Sequence, residues 1–431
     1  MADRIIGQKT MLTAFTLANF KSYREETRLP LAPLTVLIGA NASGKSNLVE
    51  GLRLLSWLAK GQRLSSIQHT INSAEQIIRG RVADLFYSEQ NSFSLGCQIG
   101  QDSWETLKIE IGLHDDRLQI IHEYYSDLET RKIVPLKAKS PVFNDLSFFA
   151  AAAIVGKGEW PFPEYENTRQ LFEDYQSKLS NILFLDPIPA RMRTYSFPSD
   201  DMVEDGTNLS SALYTLCASD ASKGFKNQEK NRRFILDVIQ SLPEQVIDDI
   251  NFLHGPRGEV MLQLVETFGG IRRNYDASLL SDGTLRVLAI AAAMLSAPSG
   301  GLVVIEEIDN GVHPSRAHHL LKKIRAVAEE RGLRVLLSTH NPAMLDALPD
   351  SAVPDVVFCY RDPASGSSQL IRMQDIPDVP ELLAQGTLGH LMTNGMLDRF
   401  VKNHPGPEER KQQARAWLNT LKTSDAEETP Q

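Results

Sequence analysis

Apolar and polar positions along the chain switch period several times, and the switches outline its elements. Residues 11–38 alternate: Leu12, Phe15, Leu17 and Phe20 precede a polar Lys21-Ser-Tyr-Arg-Glu-Glu turn, and Leu31 leads into Thr35-Val-Leu-Ile. This pattern predicts an antiparallel strand pair feeding a buried parallel strand. Residues 47–60 then carry helical spacing. From about 80 to 125 period two returns, in Ser92-Phe-Ser-Leu-Gly-Cys-Gln-Ile, Leu107-Lys-Ile-Glu-Ile-Gly-Leu and Arg117-Leu-Gln-Ile-Ile-His-Glu-Tyr. Between 140 and 240 the spacing predicts helices over 148–155, 169–183, 208–217 and 231–242, separated by Pro-, Gly- and Ser-rich breaks, with Thr207 or Asn208 capping the third. Strands are expected again at 250–253 and 259–265. Gly301-Leu-Val-Val-Ile and Leu333-Arg-Val-Leu-Leu-Ser read as central parallel strands flanking a helix at 315–332, and 355–360 as a last strand. The tail from about Lys422 is polar and is expected to be disordered.

The expected architecture is therefore α/β: a mixed core sheet, an antiparallel β lobe and an inserted helical subdomain. The boundaries are an N-terminal lobe at 1–140, a helical insert at 141–245, a C-terminal lobe at 246–400 and a polar tail at 401–431. There is no sustained heptad and no internal repeat.

Composition narrows the function little. The hydrophobic fraction is 42%, the charged fraction 23% and the net charge −9, values of an ordinary globular chain without a general nucleic-acid coat. Three isolated cysteines, Cys97, Cys217 and Cys359, form no zinc motif and fit a reducing cytoplasm. The N-terminus lacks the apolar core of a signal peptide, and the longest apolar runs, Phe148–Val155 and Val287–Leu295, fall far short of the ~20 residues of a spanning helix. A soluble, cytoplasmic protein with no membrane partner is expected.

The chemistry begins at Gly39-Ala-Asn-Ala-Ser-Gly44-Lys45-Ser46-Asn47, a glycine loop between strand and helix. Gly39 and Gly44 allow the backbone to wrap phosphates, Lys45 reaches the β/γ-phosphates, and Ser46 ligates Mg²⁺, so the segment is a P-loop for a nucleoside triphosphate. Asn41 and Asn47 belong to the same loop and helix start. Ser281-Asp282-Gly283-Thr284 precedes an apolar helix and offers a second anion site, although a simple capping serine accounts for this stretch alone. Val303-Val-Ile-Glu306-Glu307 ends an apolar strand in paired acids, one for the metal shell and one to activate water. His340, at the end of another strand, falls at the nucleotide edge of such a sheet.

The order G-x-x-x-x-G-K-S, L-S-D-G-T, hhhh-E-E and S-T-H resembles the ABC-type ATPases. Asn19-Phe-Lys-Ser-Tyr23, Glu306-Glu-Ile-Asp-Asn-Gly-Val-His313-Pro314 and Ser338-Thr-His-Asn-Pro342 resemble the SMC/RecF/OLD-like branch, and Asp205-Gly-Thr-Asn-Leu209 a segment of compact bacterial AAA-family ATPases. The likeness covers roughly 11–60 and 200–400. It implies a homodimer with ATP sandwiched between protomers, Gly39, Gly44, Lys45 and Ser46 of one facing Ser281 and Gly283 of the other. Glu307 would be the general base, His340 the γ-phosphate sensor, Glu306 with Ser46 the Mg²⁺ ligands, and Lys21 and Ser22 neighbours of the base or ribose. Three departures stand out: Glu306 replaces the commoner Asp, Asp282 replaces a glycine, and the Q-loop glutamine has only Gln68 and Gln76 as candidates.

The branch implies DNA-linked work, repair or anti-phage defence. Arg272-Arg273, Lys322-Lys323 with Arg325, and Arg410-Lys411 with Arg415 are the candidate DNA-binding patches. The alternative is an ATP-gated scaffold that holds or releases a separately encoded nuclease or toxin, since no nuclease carboxylate set follows His340. A transporter subunit is disfavoured by the span of about 235 positions between Ser46 and Ser281.

Overall fold

A computed structural model describes residues 11–67, 77–100, 106–115, 117–127, 132–136, 145, 169–199, 201–217, 225–240, 247–310, 312 and 314–403. At its centre is a six-stranded sheet in the order β15-β14-β3-β13-β12-β8. It comprises β3 (Thr35–Ile38), β8 (Leu183–Leu185), β12 (Leu302–Ile305), β13 (Arg334–Ser338), β14 (Val356–Arg361) and β15 (Ser368–Arg372). All pairings are parallel except β14 with β15.

The central strands are continuous apolar runs because both faces of the sheet are covered. Val36, Ile38, Val303, Ile305, Val335 and Leu337 enter one buried cluster; their neighbours Leu37, Leu302, Val304 and Leu336 enter another. The first core packs under α3 (Leu209–Cys217), α4 (Phe225–Ile239), α5 (Asp282–Ser296) and α6 (Pro314–Arg331). The second joins α1 (Lys45–Ala59) and α2 (Arg169–Ser180) to an antiparallel sheet in the order β2-β1-β4-β5-β6-β7. Its strands are β1 (Leu12–Ala18), β2 (Thr27–Pro30), β4 (Ser92–Ile99), β5 (Thr106–His114), β6 (Arg117–Asp127) and β7 (Lys132–Leu136).

A third, three-stranded sheet holds β9 (Ile247–His254), β10 (Val260–Phe268) and β11 (Ile271–Asp276), with β10 in the middle. Short helices α7 (Pro342–Asp346), α8 (Val379–Leu383), α9 (Leu388–Thr393) and α10 (Met396–Asn403) complete the described chain.

The strands and helices expected in 11–60 and 250–360 are present. Three features differ from expectation. The stretch 141–245 is not wholly helical: β8 lies within it and pairs with β12 in the core sheet, Leu185 opposite Ile305. The chain also adds β15 after the turn at 362–367, so 355–360 is not the last strand. The Asn208 side chain does not serve as a helix cap; it accepts the Val203 N–H (2.9 Å) and donates to the Asp201 carbonyl (2.6 Å), and Thr207 binds Asp205 instead. The expected helix at 148–155, Gln68, Gln76, His313, the 410–415 patch and the tail lie outside the described residues. Among the described residues no helix is long and apolar enough to cross a membrane.

Candidate nucleotide site

The carboxyl ends of β3, β12 and β13 converge on one cleft of about 350 Å³. Its walls carry Asn41 to Asn47, the acids Glu306 and Glu307, Ser338 to His340, and two arginines, Arg79 and Arg361. Segments separated by some three hundred residues therefore meet because parallel strands end at a common edge.

The P-loop wraps as its glycines allow. Gly39 and Gly44 have φ of 149° and 121°, and Ala42 is also left-handed at 63°. Lys45, the first residue of α1, donates to the Gly39 carbonyl (2.6 Å) and the Ala40 carbonyl (3.0 Å). Burial lowers the Lys45 pKa, opposed by Cys359, Glu307 and Asp309. Ser46 is exposed on the cleft, and the Ser43 hydroxyl is buried there with no hydrogen-bond partner among the described residues.

Glu306 follows β12 directly. Burial raises its carboxyl above the ordinary range, while the Arg53 guanidinium, 3.6 Å away, pulls it down. Arg53 also pairs with Glu204 and lies 4.4 Å from the Phe184 ring centroid. Glu307 adopts a left-handed φ of 49°, an uncommon state for a non-glycine residue and one that clusters at functional sites. Its N–H donates to Ser338 Oγ (3.0 Å), and Asn310 Nδ2 donates to its carboxylate (2.7 Å). His340 is half exposed, with Nδ1 3.6 Å from Asp309 Oδ2; Asp309 itself accepts from Thr339 Oγ1 at 2.6 Å.

Other expected residues lie elsewhere. Ser281 and Gly283 do not line this cleft. Ser281 is exposed and caps α5, accepting the Thr284 N–H at 3.1 Å, while Asp282 pairs with Arg193 at 2.6 Å. Lys21 and Ser22 also sit outside the cleft lining. Lys21 pairs with Glu50 and donates to the Arg79 carbonyl (2.9 Å), and Ser22 is buried behind the P-loop, accepting from Asn47 Nδ2 (2.8 Å). Two of the basic patches are partly neutralised. Arg272 lies 3.7 Å from Asp249, Lys323 pairs with Asp237 and Arg325 with Glu329.

Arg79 and Arg361 were not among the expected site residues. Neither belongs to a motif; Arg79 follows a stretch of weak periodicity, and Arg361 is visible only as a cation ending a strand. Arg79 pairs with Glu50, the same carboxylate that holds Lys21.

A family model described as "AAA domain, putative AbiEii toxin, Type IV TA system" matches residues 34–346. A Helicobacter pylori ATP/GTP phosphatase is 20% identical over 371 residues, spanning 81% of this chain and 90% of that protein. A DNA replication and repair protein RecF from Cyanothece is 49% identical over 47 residues, which is 11% of this chain and 12% of RecF. Among solved structures, an SMC head bound to the C-winged helix domain of ScpA is 14% identical, covers 84% of this chain and 97% of its own, and gives a TM-score of 0.49. With the P-loop, the acid pair and the strand-end histidine of the matched span gathered in one cleft, the chain belongs to this AAA-domain family.

Proposed function

We propose that the chain is an ATP-hydrolysing head that closes on a second copy of itself around the nucleotide. The observation that carries this reading is the division of its motifs. The P-loop, Glu306, Glu307 and His340 share one cleft, whereas Ser281 and Gly283 stand at the N-terminus of α5 and do not line it. Such a division suits a site completed by another protomer.

The donor set fits Mg²⁺ bound with a triphosphate: one carboxylate (Glu306) and one hydroxyl (Ser46) on a shared wall, the hard oxygen ligands that this cation takes together with phosphates. When bound, Mg²⁺ would draw charge from the phosphates. Lys45 leaves its loop carbonyls for the phosphate chain, and the loop N–H groups hold the rest. Glu307 accepts a proton from the water that attacks the γ-phosphorus; the bond to the ADP oxygen breaks and phosphate leaves. Ser338 anchors the Glu307 backbone N–H, Asn310 holds its carboxylate, and Asp309 orients His340 beside the γ-phosphate.

The work is proposed to be DNA-linked, which the short RecF likeness supports. A second reading, an ATP-gated scaffold for a separately encoded nuclease or toxin effector, is favoured by the pairing of Arg272, Lys323 and Arg325 with carboxylates and by the toxin wording of the family. The test is phosphate release from ATP, and from GTP in parallel, by wild type and Glu307→Gln, each with and without duplex DNA. Turnover that falls about 10²–10⁴-fold in the variant, the usual worth of a general base, is expected. Stimulation by DNA selects the first reading and indifference to DNA the second. A fully active variant would remove Glu307 from the mechanism.

A further inference from the structure

No motif marks the β14–β15 hairpin, and it stands on the side of β3 away from the acid pair. It nevertheless closes around the P-loop at four points. The Cys359 carbonyl occupies the space beside Gly39, 2.2 Å from where a Cβ would sit, and Ser368 Oγ does the same beside Gly44 at 2.3 Å. The Cys359 thiol donates to the Ser43 carbonyl at 3.4 Å, and Ser368 Oγ lies 2.5 Å from that same oxygen. Arg361 Nε donates to the Ala42 carbonyl at 3.1 Å, and Arg361 Nη1 to the Gly366 carbonyl at 2.7 Å.

The turn that carries Gly366 is itself fixed. Asp362 Oδ1 accepts the N–H groups of Ala364 (3.0 Å) and Ser365 (2.6 Å), and the Asp362 N–H donates back to the Ser367 carbonyl (2.9 Å). The Arg361 guanidinium is therefore held in plane by two backbone oxygens. Its Nη2 has no hydrogen-bond partner among the described residues, and the side chain lines the cleft with Lys45 and Ser46.

We propose that Arg361 is a nucleotide-binding residue that contacts the phosphate chain, presented by a hairpin that also holds the P-loop in shape. This rests on the reading of the cleft as a nucleotide site. A guanidinium has donors only, and its planar fork suits phosphate oxygens. Among the described residues the lining holds no Phe, Tyr or Trp on which a base could stack, and the loop that Arg361 touches is the one that cradles phosphates.

The experiment is calorimetric titration of the full chain with ATP and Mg²⁺, over a series of salt concentrations, for wild type, Arg361→Ala, Arg361→Gln and Arg361→Lys. Expected is about tenfold weaker binding for Ala and Gln, the scale of one charge-assisted hydrogen bond, with partial recovery in Lys and a shallower salt dependence in Gln. Gln keeps a donor for the Ala42 carbonyl but no charge. Wild-type affinity in Arg361→Gln, whether or not Ala is weakened, would reduce Arg361 to a brace and overturn the contact. Absence of ATP binding by wild type would instead defeat the nucleotide reading of the cleft itself.

Discussion

Replacing Gly39 by alanine adds one methyl group at a point where the chain has no room. At φ 149° an L side chain is strained by about 1–3 kcal/mol wherever it sits. Its Cβ would also lie 2.2 Å from the Cys359 carbonyl oxygen and 2.9 Å from Ser43 Oγ. The hydroxyl can rotate away. The carbonyl cannot, because β14 is locked to β3 in parallel register, Val357 opposite Leu37 and Phe358 opposite Ile38. Relief therefore requires two core strands to part, an overpacking penalty of about 1–3 kcal/mol. The sum, roughly 2–6 kcal/mol, is a large share of the ~5–15 kcal/mol that holds an ordinary domain together. Gly258→Ala is the control. Its φ is 87°, yet no described residue lies within 4 Å of the added Cβ, so only backbone strain of about 1–2 kcal/mol is introduced. Urea unfolding of the full chain measures both, with midpoints compared at a common slope because a chain of 431 residues need not unfold in one step. A Gly39→Ala midpoint matching that of Gly258→Ala would refute the collision, and with it the claim that β14 confines the P-loop.

Two further substitutions test the electrostatics. Asp282 is largely exposed at the start of α5, and Asp282→Gly removes a negative charge from the proposed partner of the phosphates while releasing Arg193. A rise in kcat of up to about fivefold is expected, the worth of one exposed charge; an unchanged or lower kcat would show that Asp282 does not oppose closure. Glu306→Gln should separate stability from function. The native carboxyl is raised above its ordinary value by burial, so its proton stabilises the fold at low pH, and this contribution is lost as pH rises through the native pKa. The nucleotide-free variant should therefore melt higher than wild type at neutral pH, with the gap narrowing as pH falls through the carboxylate range, while Mg²⁺-dependent ATP binding weakens. Differential scanning fluorimetry across pH checks the first part, and a gap that widens on acidification would reverse the sign.

Much of the fold was legible because its signals are local. The alternation of Leu12, Phe15 and Leu17 marks a strand with one face on a core, and Val303-Val-Ile and Val335-Leu-Leu mark strands with two. What the pattern could not supply was partnership. Leu183-Phe-Leu is three residues long, too short for any period, and it became a strand only because β12 offers an open edge beside it. Ser368-Gln-Leu-Ile-Arg, partly buried along most of its length, lacks the apolar density of a central strand and was hidden behind an obvious turn.

The site divides along the same line. Lys45, Glu306, Glu307 and His340 were nameable as candidates because each belongs to a contiguous segment whose chemistry depends on its immediate neighbours, and strand ends at one sheet edge bring those segments to one cleft. Lys21 and Ser22 were expected near the base or ribose from the resemblance of the Asn19–Tyr23 segment to the SMC/RecF/OLD-like branch. Yet the Lys21 ammonium is engaged by Glu50, a buried carboxylate one turn into α1, and the Ser22 hydroxyl by Asn47 and Ser368. Arg79 and Arg361 are the converse: far from every motif, they reach the cleft through a shared carboxylate and a pair of backbone carbonyls. The glycines show why the second kind of residue matters to the first. Sequence explains that Gly39 and Gly44 permit a wrapped loop; the structure adds that Cys359 and Ser368 leave no space for any other residue there. The P-loop is thus shaped from outside as much as from within, and its geometry depends on a hairpin that lies more than three hundred residues away in the chain.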